Sequence, residues 1–160
     1  MKQLTIIRHG KSSWDFPVQD QNRPLIEKGI LNSIKIGKES KPLISPNSLI
    51  WSSFAERAFS TAKIVVDQWN LPNQLIFIKD ELYTFDYKQL ERIIKTCPDS
   101  CDSLVVFGHN NAITDFVNKF GDIFIDNVPT SGLVSLNFDS NSWSTISKGK
   151  TNTILFPRDI

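Results

Sequence analysis

Short, unbroken apolar runs alternate along this chain with stretches of helical period, and that alternation limits the fold more than any other feature. Leu4, Thr5, Ile6 and Ile7 form one run, which stops abruptly at Arg8-His9-Gly10. Residues 48–52, 75–78 and 103–107 form three more. Short β-branched runs without polar interruption suit strands buried on both faces of a sheet. Between them, residues 24–40 carry Leu25, Ile30, Ile34 and Ile36 behind Pro24, a residue suited to a helix's first turn. Residues 54–69 place Ala55, Ala58, Ala62, Val65 and Val66 on one face; 87–95 place Leu90, Ile93 and Ile94; 112–120 complete the series. The alternation predicts an α/β fold of three layers, with helices on both faces of a mostly parallel central sheet.

Residues 11–23 are polar, contain Pro17 and lack a period, so they read as a loop; Pro42 and Pro46 mark another. Past Pro129 the pattern changes. Residues 132–138 alternate, Asn141-Ser142 reads as a turn, and 143–147 alternate again, which predicts two closing strands. The 160 residues contain no repeat and read as a single domain spanning 1–160.

Charge narrows the partners. Eighteen Lys and Arg against seventeen Asp and Glu leave no overall field directed at nucleic acid or an anionic membrane. Attraction for a charged substrate must therefore be local. The apolar start of the chain is too short for a signal peptide, and no run approaches the ~20 residues of a membrane span. A soluble, cytoplasmic protein is expected. Cys97 and Cys101 lie four apart, close enough to bridge, but a chain with this much core does not need the link. With only two histidines they make no zinc pattern, so two thiols in a helix-to-strand loop are expected.

The only histidines, His9 and His109, each follow directly on an apolar run, and each has a glycine beside it. In an open parallel sheet the carboxyl ends of the strands share one rim, where ligands bind. Arg8 precedes His9, and Arg57 falls in the first turn or so after Ser52-Ser53, so it starts from that rim too. A single histidine at a strand end is more often structural than catalytic. Two of them with two arginines suit a tetrahedral dianion, because the guanidinium fork matches phosphate oxygens and stays charged. A neutral imidazole is also a nucleophile that phosphorylates at nitrogen.

Arg8-His9-Gly10 after the first strand, the segment from Ser52 through Arg57 to Ala62, and Gly108-His109-Asn110 after a later strand together resemble the histidine phosphatase superfamily, of phosphoglycerate mutase-like fold. Lys11-Ser12-Ser13-Trp14-Asp15, Asn22-Arg23-Pro24-Leu25 with Gly29, Asp126-Asn127-Val128-Pro129-Thr130 and Pro157-Arg158-Asp159 are similar to its small branch, the SixA-type phosphohistidine phosphatases. The resemblance covers essentially the whole chain. It implies His9 as the nucleophile that forms a phosphohistidine, with Arg8, Arg57 and His109 holding the phosphoryl group. Arg23 matches an arginine that approaches the pocket, and Ser12 could donate to phosphate or cap a turn. Trp14, Trp51 and Phe54 read as core or pocket wall. No cofactor and no metal are implied.

One departure carries information. Larger members of the superfamily place a glutamate two positions after a leucine that follows the third strand, as general acid; here that leucine looks like Leu82 and the position holds Thr84, with Glu81 and Asp86 out of register. A site without an acid favours leaving groups that need little protonation, such as imidazole, whose conjugate acid has a pKa of roughly 6.5. The expected partner is thus a protein phosphohistidine. A small phosphorylated substrate, turned over by a phosphomonoesterase or mutase-like enzyme, is the alternative. A non-catalytic phospholigand-binding module is the alternative of another class.

Overall fold

The structure, a computed structural model, describes residues 1–15 and 17–160. Of the loop expected over residues 11–23, Phe16 lies outside the described residues. The regular elements run β1 (Lys2–Arg8), α1 (Glu27–Ser40), β2 (Leu49–Ser52), α2 (Glu56–Gln68), β3 (Ile76–Ile78), α3 (Tyr87–Ile94), β4 (Ser103–Gly108), α4 (Ala112–Phe120), β5 (Leu133–Phe138) and β6 (Lys150–Leu155). They build a six-stranded sheet in the order β3-β2-β4-β1-β5-β6. The first four strands of the chain are parallel, while β5 runs antiparallel to β1 and β6 antiparallel to β5.

Strand alternation divides the core between the two faces of the sheet. Leu4, Ile6, Leu104 and Val106 pack with Leu90, Ile93 and Ile94 of α3 and with Ile113, Phe116 and Val117 of α4. Ile7, Ile50, Val105 and Phe107 pack on the other side with Ile36 of α1 and Ala62, Val65 and Val66 of α2. The three-layer α/β/α fold follows. The chain first moves outward from β1 through β2 to β3, then returns so that β4 enters between β2 and β1. Strand order reverses between β1 and β4, and in such sheets ligands bind beside the carboxyl ends of the strands at that point.

Three details differ from the expectation. Helix α1 begins at Glu27, not Pro24, because Ser12 bridges to Leu25 and the Ser13 N–H donates to Pro24 O (2.8 Å), holding residues 24–26 extended. Its inward face is Gly29, Ser33, Ile36, Gly37 and Ser40, and Ile30 is exposed. Small residues are needed there because α1 lies very close to its neighbours: a Cβ at Gly37 would stand 2.6 Å from Gln68 Cβ. The closing strand expected over 143–147 is instead a 3-10 turn, Trp143–Thr145, and the strand is Lys150–Leu155. Trp143 is fully buried, its indole N–H donating to Cys101 O (2.6 Å), so its bulk plugs the bottom of the sheet rather than alternating along it. As an edge strand, β6 leaves alternate side chains in solvent, which made it look polar in sequence.

Cys97 and Cys101 are both free thiols in the loop between α3 and β4. Among the described residues no helix is long and apolar enough to cross a membrane.

Candidate active site

Strand register alone brings the two histidines together. Arg8 pairs with Gly108 across β1 and β4, so the residues that follow, His9 and His109, leave the sheet side by side, with ring centroids 5.3 Å apart. Ser52 pairs with Phe107 across β2 and β4, and Ser53 N–H donates to Phe107 O (3.1 Å). Ser53 therefore stands beside His109, and α2 starts from the same rim, carrying Arg57 in its first turn. The strand-end argument placed Arg8, His9, Arg57 and His109 on one rim, and the structure brings all four together.

The turn carrying His9 is fastened on every side. His9 N–H donates to Gly108 O (3.1 Å), and Ser131 N–H donates to the carbonyls of Arg8 (3.1 Å) and His9 (3.0 Å). Gly10 N–H donates to Thr61 Oγ1 (2.8 Å), whose hydroxyl donates to Arg57 O (2.7 Å). Gly10 lies so near α1 that a Cβ there would come 3.0 Å from Gly29 O. Such a turn presents one side chain in a fixed orientation.

That side chain presents an unprotonated ring nitrogen. His9 Nδ1 lies 2.7 Å from Gly10 O, and a carbonyl only accepts, so the ring proton sits on Nδ1 and Nε2 keeps its lone pair. Arg57 Nε–H donates toward Nε2 at 3.3 Å. Burial pushes the His9 pKa from 6.5 down to about 3; the bond to Gly10 opposes this, and the charges of Arg57, Arg8 and Arg23 reinforce it. Burial likewise pushes His109 down to about 3, with His9 and Arg57 adding to the effect and Asp20 opposing it. Both rings are neutral at pH 7.

Two buried nitrogens remain unmatched. His109 Nε2 lies 2.8 Å from Ser53 Oγ, which already accepts from Ala55 N–H (3.2 Å). With the Ser53 O–H given to Nε2, the His109 proton sits on Nδ1. Among the described residues, His109 Nδ1 and Arg8 Nε have no hydrogen-bond partner. Arg8 is otherwise tied by Nη1 to Val128 O (2.9 Å). Burial, with the Arg57 charge, lowers the Arg8 pKa, a measure of how poorly solvated this pair of cations is. Unpaired buried donors are costly, and an anion with several oxygens would satisfy them.

Sequence reasoning missed Asp20 and Tyr83. The Asp20 carboxylate accepts from Arg57 Nη2 (2.9 Å), Arg23 Nε (3.2 Å) and Tyr83 O–H (2.5 Å), and its backbone carbonyl accepts from Arg57 Nη1 (2.7 Å). Burial works to raise the Asp20 pKa, but the bonds from Tyr83 and Arg57 outweigh it and hold the group at about 2. Burial and the bond to Asp20 raise Tyr83. No spacing rule marks Asp20: it sits in the aperiodic loop, and only the fold turns it toward α2.

Arg23 is buried beside the pocket, donating from Nη1 to Ser12 Oγ (2.7 Å) and stacking its guanidinium 3.6 Å from the Trp14 ring centre. Ser12 is therefore engaged with Arg23. Trp14 is 78% exposed, so it is not core; Trp51 is core, and Phe54 is half-exposed against Tyr83. Thr84 Oγ1 accepts from Asp86 N–H (3.1 Å), Asp86 caps α3 by accepting from Lys88 N–H (3.1 Å), and Glu81 faces solvent.

Paired histidines and clustered arginines at the switch point of a doubly wound sheet make a site suited to a phosphoryl group. Residues 4–96 match the histidine phosphatase superfamily (branch 1), and the chain belongs to that family. No curated protein matches the chain in sequence. Among solved structures, the protein histidine phosphatase SixA complexed with tungstate superposes with a TM-score of 0.82 at 22% identity, covering 98% of each chain. A SixA-named protein from Agrobacterium tumefaciens gives 0.79 at 22%, covering 96% of this chain and 97% of its own. A mycobacterial glucosyl-3-phosphoglycerate phosphatase gives 0.71 at 12%, covering 96% and 98%. At these identities the likeness shows a shared fold, the phosphoglycerate mutase-like one.

Proposed function

We propose that this protein is a cofactor-free phosphatase that dephosphorylates phosphohistidine in a protein, through a phosphoryl intermediate on His9. The observation that carries the reading is the His9 ring. Its Nδ1 proton is pinned on Gly10 O, its Nε2 lone pair is presented beside Arg57, and the unmatched donors of Arg8 and His109 flank it. In the first displacement, His9 Nε2 bonds to phosphorus as the bond to the leaving nitrogen breaks. In the second, water attacks the phosphoryl group, phosphate departs and the ring is restored. Arg8, Arg57 and His109 neutralise charge on the equatorial oxygens, with Arg23 behind them. The names of the SixA neighbours agree with the substrate class.

Among the described residues no carboxylate beside His9 is placed to act as an acid, which supports phosphohistidine over alkyl esters. Asp20 is the carboxylate bonded to Arg57, and at about 2 its pKa leaves it ionised, an acceptor rather than a donor. Asp86 is occupied by its cap and Thr84 by Asp86. The test is phosphoenzyme trapping. His9 should take an acid-labile, alkali-stable label, and His9→Ala should abolish turnover while remaining folded. Phosphohistidine and nitrophenyl phosphate should outrun glycerol phosphate by a wide margin. Comparable rates on glycerol phosphate would favour a small-molecule phosphatase, and binding without labelling would favour a phospholigand module. A selective loss on alkyl phosphates in Glu81→Gln or Asp86→Asn would reveal an acid.

A further inference from the structure

The phosphoryl site continues outward into a run of aromatic rings that the two displacements do not use. Tyr83 packs edge-on against His109 with centroids 5.3 Å apart, and Phe85 does the same at 5.5 Å. Phe85 also meets Tyr83 at 5.7 Å, and Phe54 meets Tyr83 at 4.9 Å. Tyr83 is held in this run by its bond to Asp20. Phe85 lacks any such duty: it is 53% exposed, and Phe54 is 40% exposed. Tyr83 and Phe85 occupy the segment between buried Leu82 and α3, on either side of Thr84, and Phe54 joins them from the loop before α2.

From this juxtaposition we infer that Phe85, backed by Tyr83 and Phe54, is a specificity-determining platform for a planar ring on the leaving group. The inference rests on the phosphatase reading of the same site and adds the class of leaving group to it. Under that reading an in-line displacement sends the leaving atom away from His9, past the phosphoryl oxygens that His109 would contact. Phe85 packs on His109 and is more than half exposed. An imidazole joined to phosphorus through nitrogen is flat, so it presents a ring face for offset or edge contact. An acyl or alkyl group offers no such face. In place of proton donation, the site then selects the leaving group by its shape.

The test separates ring recognition from leaving-group reactivity. Acetyl phosphate is as activated as phosphohistidine but carries no ring, so the quantity to measure is the ratio of kcat/KM for a phosphohistidine peptide to that for acetyl phosphate. Phe85→Leu, which keeps apolar bulk and removes the ring, should lower that ratio roughly threefold to tenfold, mainly through KM for the peptide. Phe85→Tyr should restore the ratio. A ratio that stays constant in Phe85→Leu, whether both rates fall or neither does, overturns the inference, since the ring would then act only by supporting His109 or not at all. His9 labelling by the phosphohistidine peptide is followed in parallel. Its absence in the wild-type protein overturns the phosphatase reading and the platform with it; labelling together with a constant ratio overturns the platform alone.

Discussion

Lowering the pH from 7 to 5 should cost this fold about 4 kcal/mol of stability, through two histidines buried in neutral form. Burial, helped by the Arg57 charge, pushes His9 and His109 from 6.5 down to about 3 in the folded protein. In the unfolded chain each returns to about 6.5. As pH falls through that value, the unfolded chain takes up a proton at each ring and the folded chain does not, so stability is full above 6.5 and declines as pH drops toward the folded values. Linkage gives about 2 kcal/mol per ring between pH 7 and 5, the same for any folded pKa well below 5. Ordinary carboxylates titrate near 4 and contribute mostly at lower pH, which leaves this window to the histidines. Urea unfolding at pH 7, 6 and 5, read by the fluorescence of buried Trp51, Trp69 and Trp143, measures the decline. His9→Gln and His109→Gln should each remove about half of it. An unchanged decline in His9→Gln would refute a neutral, buried nucleophile.

Arg57→Lys replaces a fork that bonds His9 and Asp20 at once with a point charge, and should cost about tenfold to a thousandfold in kcat; wild-type kinetics would remove Arg57 from the site. Asp20→Asn keeps the backbone carbonyl that holds Arg57 Nη1, so stability measured by urea unfolding should fall by less than about 1 kcal/mol, the carboxylate being 40% exposed. The same change removes the counter-charge to two arginines, so inorganic phosphate should inhibit more tightly in steady-state assays. Gly29→Ala would drive a Cβ to 2.2 Å from Lys11 O and 2.8 Å from Lys11 N, a backbone that cannot step aside, so about 1–3 kcal/mol should be lost in thermal or urea unfolding, with turnover falling as the His9 turn shifts.

What the sequence made legible were features written in local pattern. The parallel strands are short apolar runs whatever surrounds them, and Arg8, His9 and His109 lie directly at their ends. Arg57 was legible because a helix starting at the rim carries its first turn there. Features decided by tertiary approach were not legible. The inner face of α1 is small and polar because α1 lies against α2 and the His9 turn, where Ser33 Oγ meets Ser131 Oγ (3.2 Å) and Ser40 Oγ accepts from Trp69 Nε1 (2.9 Å). A hydrophobicity pattern points the other way, toward Ile30. Trp143 and Ile146 are three apart, a spacing that a 3-10 turn puts on one side and a strand would put on opposite faces, and both are buried.

Charge and proton balance, finally, connect Asp20 to the substrate. Arg8, Arg23 and Arg57 bring three positive charges to the pocket and the Asp20 carboxylate one negative, so with neutral histidines the pocket carries two positive charges. A phosphoryl dianion matches that balance. Protons are scarcer than charge. His9 Nε2 must keep its lone pair to attack, and the His109 Nδ1 proton is committed as a donor to phosphoryl oxygen under the proposed reading. Tyr83 holds its proton more tightly than an ordinary tyrosine because it is buried and bonded to Asp20. The leaving group must therefore bring its own proton. Phosphohistidine does so when its second ring nitrogen is protonated, since the P–N bond then breaks to release neutral imidazole. An alkyl phosphate has no equivalent, and would leave as an alkoxide beside an Asp20 carboxylate that is already ionised.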